Sequence, residues 1–527
     1  MRFGSNFRTL GLASALAILA SSAAAQEVTL RANSGNVEVV GDLVSFDQVT
    51  YIVTTEFGEL KVRADEFSCI GDGCPAPVLS QRNAAKEDTV TIAGSSAIGE
   101  GLMPILLAGY AANLNAAEDV VRPDGAVEAV SVFVGDDGFG DELGSYLVRS
   151  TRSSDAFANL LGLSADIGMA SRRIAEGEAA NLLKYGGGDM SDPTNEHIIA
   201  IDSLLVVTNP DNPVDTLTMD QLRDIYTGRI TNWSEVGGAN APINVVNLGE
   251  GSGTRVVFED RIFDGNVNGV PALATGAESN SAAADAVSED SNAIAYVSSA
   301  FLRGTKPVTL ISDCDIPMIP DAFSARTEEY SLGRFLYLYT RNDNTNPDVR
   351  SLVNYITSPD ADESISKSGF IDLGVTRRAQ VNDGRAQMLI DADYNQFERR
   401  YANEMLDEMR DHDRLSATFR FETGSNALTP RGELNLERLA EYLDDQPAGT
   451  EVKIVGFTDS VGQSTSNQAL AERRAVSVLS SLRDVAGDRL DGIQLTTVGY
   501  GEIAAASCNT DDFGRGINRR VEVWIKS

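Results

Sequence analysis

Two residues near the end of the chain have the types and spacing to grip a small zwitterion. Asp459 lies in Gly456-Phe457-Thr458-Asp459-Ser460-Val461-Gly462, and Arg474 follows in Arg473-Arg474-Ala475. A carboxylate takes an ammonium group, and a guanidinium takes a carboxylate through a forked pair of hydrogen bonds. Val452 to Phe457 reads as a strand that ends in a polar, glycine-containing loop. After Asn467, a good helix N-cap, Leu470, Ala471, Ala475, Val478, Leu479 and Leu482 recur at helical spacing. Asp459 is therefore expected at a strand end and Arg474 about two turns into the next helix, both facing one cleft. Val521, Val523 and Ile525 alternate with Glu522, Trp524 and Lys526, which predicts a final half-buried strand.

A second set of polar groups lies upstream. Val90-Thr91-Ile92-Ala93 leads into Gly94-Ser95-Ser96-Ala97-Ile98-Gly99 and then an apolar helix from Leu102 to Tyr110. A Gly/Ser turn that feeds a helix start presents N–H groups and hydroxyls to an anion. Ala165 to Arg172 and Gly251-Ser252-Gly253-Thr254-Arg255 supply further polar loops. Leu222-Arg223-Asp224-Ile225-Tyr226-Thr227-Gly228 and Thr231-Asn232-Trp233 lie between them. From Thr89 onward, strands alternate with helices.

The C-terminal motifs, with Gly514-Arg515 and Asn518-Arg519-Arg520-Val521-Glu522, resemble the OmpA-like peptidoglycan-binding domain. That resemblance covers about the last 110 residues. It implies an α+β sandwich whose ligand is the diaminopimelate of peptidoglycan, with Asp459 and Arg474 as its two contacts. Thr458, Asn467, Tyr500, Asn518 and Arg520 match neighbouring family positions.

Residues 88–380 resemble the periplasmic phosphate-binding protein of the high-affinity transporter, which implies a two-lobed fold closing over its ligand by a hinge. The implied site for phosphate or a similar small anion is Ser95, Ser96, Ser171, Arg172, Ser252, Gly253 and Thr254. A membrane transporter is the further partner implied. The match departs from the family at three places. Ala97 stands where a Thr is common, Asp136-Asp137 stand where a second loop would offer Ser hydroxyls, and Leu248 replaces an Arg four residues before Ser252. Arg172 or Arg255, beside motif hydroxyls, are candidates to restore the charge.

The chain of 527 residues thus reads as multidomain α/β. Its expected parts are a signal peptide (1–25), a small β-rich domain (26–80), the binding-protein-like domain (88–380), a helical linker (381–414) and the OmpA-like domain (415–527). Arg2 and Arg8, the short apolar run Leu10 to Ala20 and Ala23-Ala24-Ala25 predict export and cleavage before Gln26. A periplasmic location, associated with the cell wall or outer membrane, is expected. The net charge of −34 disfavours nucleic acid as a partner. Cys69 and Cys74 bracket a turn-rich segment that an oxidising compartment would close as a disulfide, while Cys314 and Cys508 either pair across an interface or remain reduced. In the linker, Phe397, Tyr401, Met405 and Met409 recur every four residues, the pattern of an amphipathic docking helix.

No cofactor, metal or catalytic residue is expected. His197 and His412 are the two histidines, neither in a metal-ligand or triad-like setting, and no Gly-x-Ser-x-Gly elbow accompanies Ser95-Ser96. The expected function is a wall-tethered solute-binding protein. The alternative is a structural or sensory envelope protein whose central domain recognises another ligand or a protein.

Overall fold

The computed structural model describes residues 26–32, 38–46, 50–55, 58–63, 67–70, 74, 89–122, 128–263, 274–380, 384–421 and 428–527. The expected signal segment, 1–25, lies outside them. The chain divides into two compact units, Met1–Glu87 and Asp88–Ser527.

In the first unit, short β-branched runs form an antiparallel five-stranded sheet. Its order is Gly58–Arg63, Thr50–Thr55, Glu38–Phe46, Gln26–Ala32, Phe67–Ile70. Val28, Leu30, Tyr51, Val53 and Val62 make a small core, and the Cys69–Cys74 disulfide packs against it. So small a core gains from such a staple.

The second unit begins with a two-lobed α/β body. In one lobe, Thr89–Ser95 lies between Glu142–Thr151 and Ile167–Ala170, parallel to both. In the other, Asn244–Leu248 runs parallel to Thr275–Ala277 and Ala293–Ser298. The long strand Glu196–Thr208 joins the lobes. Residues 196–203 pair with Gly333–Thr340, and residues 204–208 pair with Ala293–Ser298. The Leu222, Ile225, Tyr226 and Trp233 motif residues are core of the second lobe, where Tyr226 packs on Phe258 and Tyr296.

The C-terminal part is a five-stranded sheet, ordered Arg377–Ala379, His412–Arg420, Arg520–Lys526, Glu451–Phe457, Gln494–Gly501. Helices Pro430–Asp444 and Ser464–Ala486 cover one face. A Cβ on Gly456 would stand 2.0 Å from the Ala471 carbonyl oxygen, so this motif glycine is what lets the long helix approach the sheet. The expected amphipathic helix is present as Gln396–Asp411, capped by Asn395, and it covers the other face. Met405 and Met409 pack there with Phe457, Tyr500 and Trp524. This helix corrects the expectation of a half-buried last strand: Val521, Glu522, Val523, Trp524 and Ile525 are all buried because both sheet faces are covered.

Cys314 and Cys508 form a disulfide that closes a span of 194 residues. Cys314 lies in the turn between Thr309–Ile311 and Pro317–Met318, on the second lobe, whereas Cys508 belongs to the C-terminal part. Breaking it with Cys314→Ser should cost about 2–5 kcal/mol, because it constrains a long loop of the unfolded chain. Urea denaturation of the variant and the wild type measures the difference. Among the described residues, no helix is long and apolar enough to cross a membrane.

Candidate functional site

The parallel strands of the first lobe bring the loops of the expected anion site together. Gly94 lies opposite both Ser150 and Met169, so the loops that follow, Ser95-Ser96, Arg152-Ser153 and Ser171-Arg172, emerge side by side at the carboxyl ends of the strands. Ser153 and Ser171 hydroxyls hydrogen-bond at 3.2 Å, and the Ser171 N–H donates to Ser153 Oγ at 3.1 Å. Gly253, from the second lobe, abuts them: a Cβ there would lie 2.4 Å from Ser153 Oγ and 2.5 Å from Ser171 Oγ. Any larger residue would have to displace these two hydroxyls. Thr254 Oγ1 accepts from Arg334 Nη1 at 2.9 Å and from Asn280 Nδ2 at 3.3 Å.

Arg334 is the cation at this junction. Its guanidinium also donates to the Ser171 carbonyl and pairs with Asp202 at 2.7 Å, the two side chains being 2% and 0% exposed. Burial pushes its pKa down and Asp202 opposes the shift. Asp202 in turn accepts from Ser298 Oγ at 2.8 Å.

Ser171, Gly253 and Thr254 are thus brought together, with Ser95 and Ser96 at the adjoining strand end. Ser252 instead caps the helix Gly253–Phe263 by accepting from the Arg255 N–H. The expected charge donors are turned elsewhere. Arg172 makes a forked pair with Glu178, at 2.7 and 2.8 Å, and Arg255 binds Glu259 and the Leu248 carbonyl. The hydroxyl beside Ser171 is that of Ser153, and the Asp136-Asp137 segment instead forms the short helix Gly135–Gly138 between the strands Glu128–Val134 and Glu142–Thr151. Ser153, Asp202 and Arg334 were missed. A single Arg and a single Asp inside the apolar runs Gly333–Thr340 and Glu196–Thr208 were the signal.

At the C-terminal part, Asp459 follows the strand Glu451–Phe457 and Arg474 projects from the helix Ser464–Ala486. Asp459 Oδ2 pairs with Arg519 Nη1 at 3.0 Å. Arg474 is buried over the Phe421 ring, 5.1 Å from its centroid, and its Nε and Nη1 atoms have no hydrogen-bond partner. Burial lowers its pKa, Arg519 and Arg473 push the same way, and Asp459 opposes them. Asn467 donates to the Asp459 carbonyl and to Glu502, which pins the loop to the helix. Thr458 is buried beside them, its N–H bonded to the Gly501 carbonyl.

Three of the expected neighbours are interior. Tyr500 packs with Phe457 and Trp524 under the helix Gln396–Asp411. Asn518 spends its amide on Ala506, Ser507 and Asn509. Arg520 is fully buried against Glu522, the Ala504 carbonyl and the Phe457 ring. Arg519, the next residue back, is the one that reaches Asp459.

Residues 80–360, more than half of the chain, match the PBP superfamily domain. The chain belongs to the PBP superfamily. Residues 420–519 match the OmpA family, so the PBP domain is followed by an OmpA domain. The phosphate-binding protein PstS of Bacillus subtilis is 30% identical over 188 residues, 35% of this chain and 60% of that protein. Outer membrane porin F of Pseudomonas fluorescens is 32% identical over 114 residues, 22% of this chain and 34% of that protein. The chain thus spans less than two thirds of either relative. An ABC-type phosphate transport receptor from Vibrio cholerae aligns over 54% of this chain and 99% of that one, at 25% identity and a TM-score of 0.40.

Proposed function

We propose that this is a non-enzymatic binding protein of the periplasm, with a PBP domain that takes phosphate or a related oxyanion and an OmpA domain that holds it to peptidoglycan without a covalent bond. The observation that carries the reading is the pairing, in one chain, of a hydroxyl cluster between two lobes with a buried, under-satisfied Arg474 beside Asp459. A guanidinium with idle donors is suited to a ligand carboxylate. Diaminopimelate supplies that carboxylate together with an ammonium group for Asp459. In this reading residues 88–380 form the receptor part and 415–527 the anchor, the transporter partner receives the anion, and the molecule resides at the cell wall or outer membrane.

In the oxyanion site, Ser171→Ala and Thr254→Ala should each remove a hydroxyl donor and weaken phosphate binding by about 1–3 kcal/mol. Calorimetry with phosphate at low and moderate salt is the measurement. No heat at millimolar phosphate would end the phosphate assignment.

One observation favours the second reading, in which the PBP domain serves a structural or sensory role with another ligand. Arg172, Arg255 and Arg334 already face Glu178, Glu259 and Asp202, so the cluster offers a dianion hydroxyls and N–H groups more than free charge. A null result with phosphate alongside intact peptidoglycan binding would select that reading.

A further inference from the structure

A cavity of about 750 Å³ lies where the C-terminal part meets the two-lobed body. Four guanidinium-bearing residues of the body, Arg172, Arg173, Arg261 and Arg334, line it together with Arg420 and Arg519 of the C-terminal part. Three carboxylate residues, Asp260, Glu328 and Asp512, share the lining. Glu178, Glu196, Asp202 and Asp459, which pair with Arg172, Arg173, Arg334 and Arg519, do not line it. With Arg261 on Asp260 and Arg420 near Glu328, each of the six guanidinium groups faces a carboxylate, but the buried Nε atoms of Arg261 and Arg519 have no hydrogen-bond partner. Val256, Phe335, Tyr337, Phe421 and Phe513 supply the apolar surface between them. A largely apolar hollow of this size with a few convergent charges is the usual form of a site for an organic ligand.

The walls are held in place from both sides. Cys314–Cys508 ties the C-terminal part to one lobe. Arg438 ties it to the other, through Asp362 at 2.8 Å and the Thr357 carbonyl at 3.2 Å. Arg414 makes a forked pair with Glu329 near the strands that join the lobes, and Arg261 stacks on Phe513 at 4.1 Å. The cavity is thus preformed, and a ligand does not have to order its walls.

Two lining residues also touch the charged pair of the candidate wall site. Arg519 binds Asp459, and the Phe421 ring lies under Arg474. The charged pair and the cavity thus have Arg519 and Phe421 as common neighbours.

We propose that the cavity is a second section of the wall-binding site, built jointly by the two parts of the chain. It accepts the carboxylate-bearing, partly apolar remainder of an acidic peptide whose amino-acid end is held by Asp459 and Arg474. This rests on the reading of those two residues as the peptidoglycan contacts. The unused N–H donors of Arg261 and Arg519 take a carboxylate of the peptide, and the aromatic rings cover its backbone and methyl groups.

The test uses the full-length protein with both disulfides intact and two soluble probes: free meso-diaminopimelate, and the tripeptide L-Ala-γ-D-Glu-meso-diaminopimelate. Calorimetry should show the tripeptide binding at least tenfold tighter than the free amino acid. Arg261→Gln and Phe513→Ala, both at partly exposed positions and checked by thermal melting, should each remove most of that tenfold gain. Their affinity for free diaminopimelate should stay within twofold of wild type. Equal affinity for the two probes, or a tripeptide affinity untouched by both substitutions, overturns the cavity proposal and leaves the anchor standing. Displacement of the tripeptide by inorganic phosphate also overturns it, because the cavity would then belong to the oxyanion site. Failure of wild type to bind either probe removes the anchor reading, and the proposal falls with it.

Discussion

Arg474→Ala should abolish sedimentation of the protein with purified sacculi, and Asp459→Ala should weaken it severely. Each substitution leaves one charge of a bound zwitterion facing an empty position, so the loss is larger than one hydrogen bond. Truncating one member of a desolvated charge pair costs about 2–5 kcal/mol, or roughly 30-fold to several thousand-fold in affinity. Arg474 should show the larger effect because it is buried with two donor atoms unused, whereas Asp459 already shares its charge with Arg519. Folding should survive the Asp459 change, since that residue lies in a loop beyond the strand, and circular dichroism checks it. If folded Arg474→Ala and Asp459→Ala proteins pellet with sacculi as wild type does, the anchor site lies elsewhere.

The largest loss of stability should come from Glu522→Ala. Glu522 is fully buried and accepts from Arg385, Arg520 and the Trp524 indole, and it pairs with Arg414 at 3.1 Å. Burial alone would raise its pKa, but Arg385, Arg414 and Arg520 hold it well below the usual carboxylate range. Removing it leaves Arg414 and Arg520 with Glu329 as their nearest carboxylate among the described residues. Such a break in a buried pair costs about 3–5 kcal/mol. Because the folded pKa is depressed, the stabilisation is fully present above the ordinary glutamate value of 4.5 and is lost as pH falls below it. Urea melts should therefore show the gap between wild type and Glu522→Gln narrowing below that pH, by about 1.4 kcal/mol per pH unit. A gap independent of pH between 7 and 3 would mean that the carboxylate charge is not what stabilises the network.

Local pattern carried far in this chain. The strand before Asp459, the helix that bears Arg474 and the amphipathic helix Gln396–Asp411 follow from spacing alone, because each is defined by neighbours within a few residues. Pairings between distant segments were not legible. Arg334 and Asp202 are 132 residues apart, and the Cys314–Cys508 bond spans 194, so neither has a local signature. The interior position of Arg520 was not legible for a related reason. Strand alternation gives two faces, but which is exposed depends on the helix Gln396–Asp411 and on Arg385 covering the second one. Arg519, just outside that alternation, is the residue left to meet Asp459. Ser153 was overlooked because the acidic pair Asp136-Asp137 was matched to its loop, and strand register alone shows which loop stands beside Ser171.

The contacts between the C-terminal part and the two-lobed body include the backbone entering Arg377–Ala379, the Cys314–Cys508 bond and the Arg438–Asp362 ion pair. A body joined at one point swivels, and one joined at two still turns about the line between them. A third point off that line removes the last rotation. A flexible linker would let a tethered receptor sweep a volume set by its length. Here a disulfide and ion pairs hold the two parts together instead. Whatever grips the C-terminal cleft therefore fixes the heading of the interlobe groove as well as its distance.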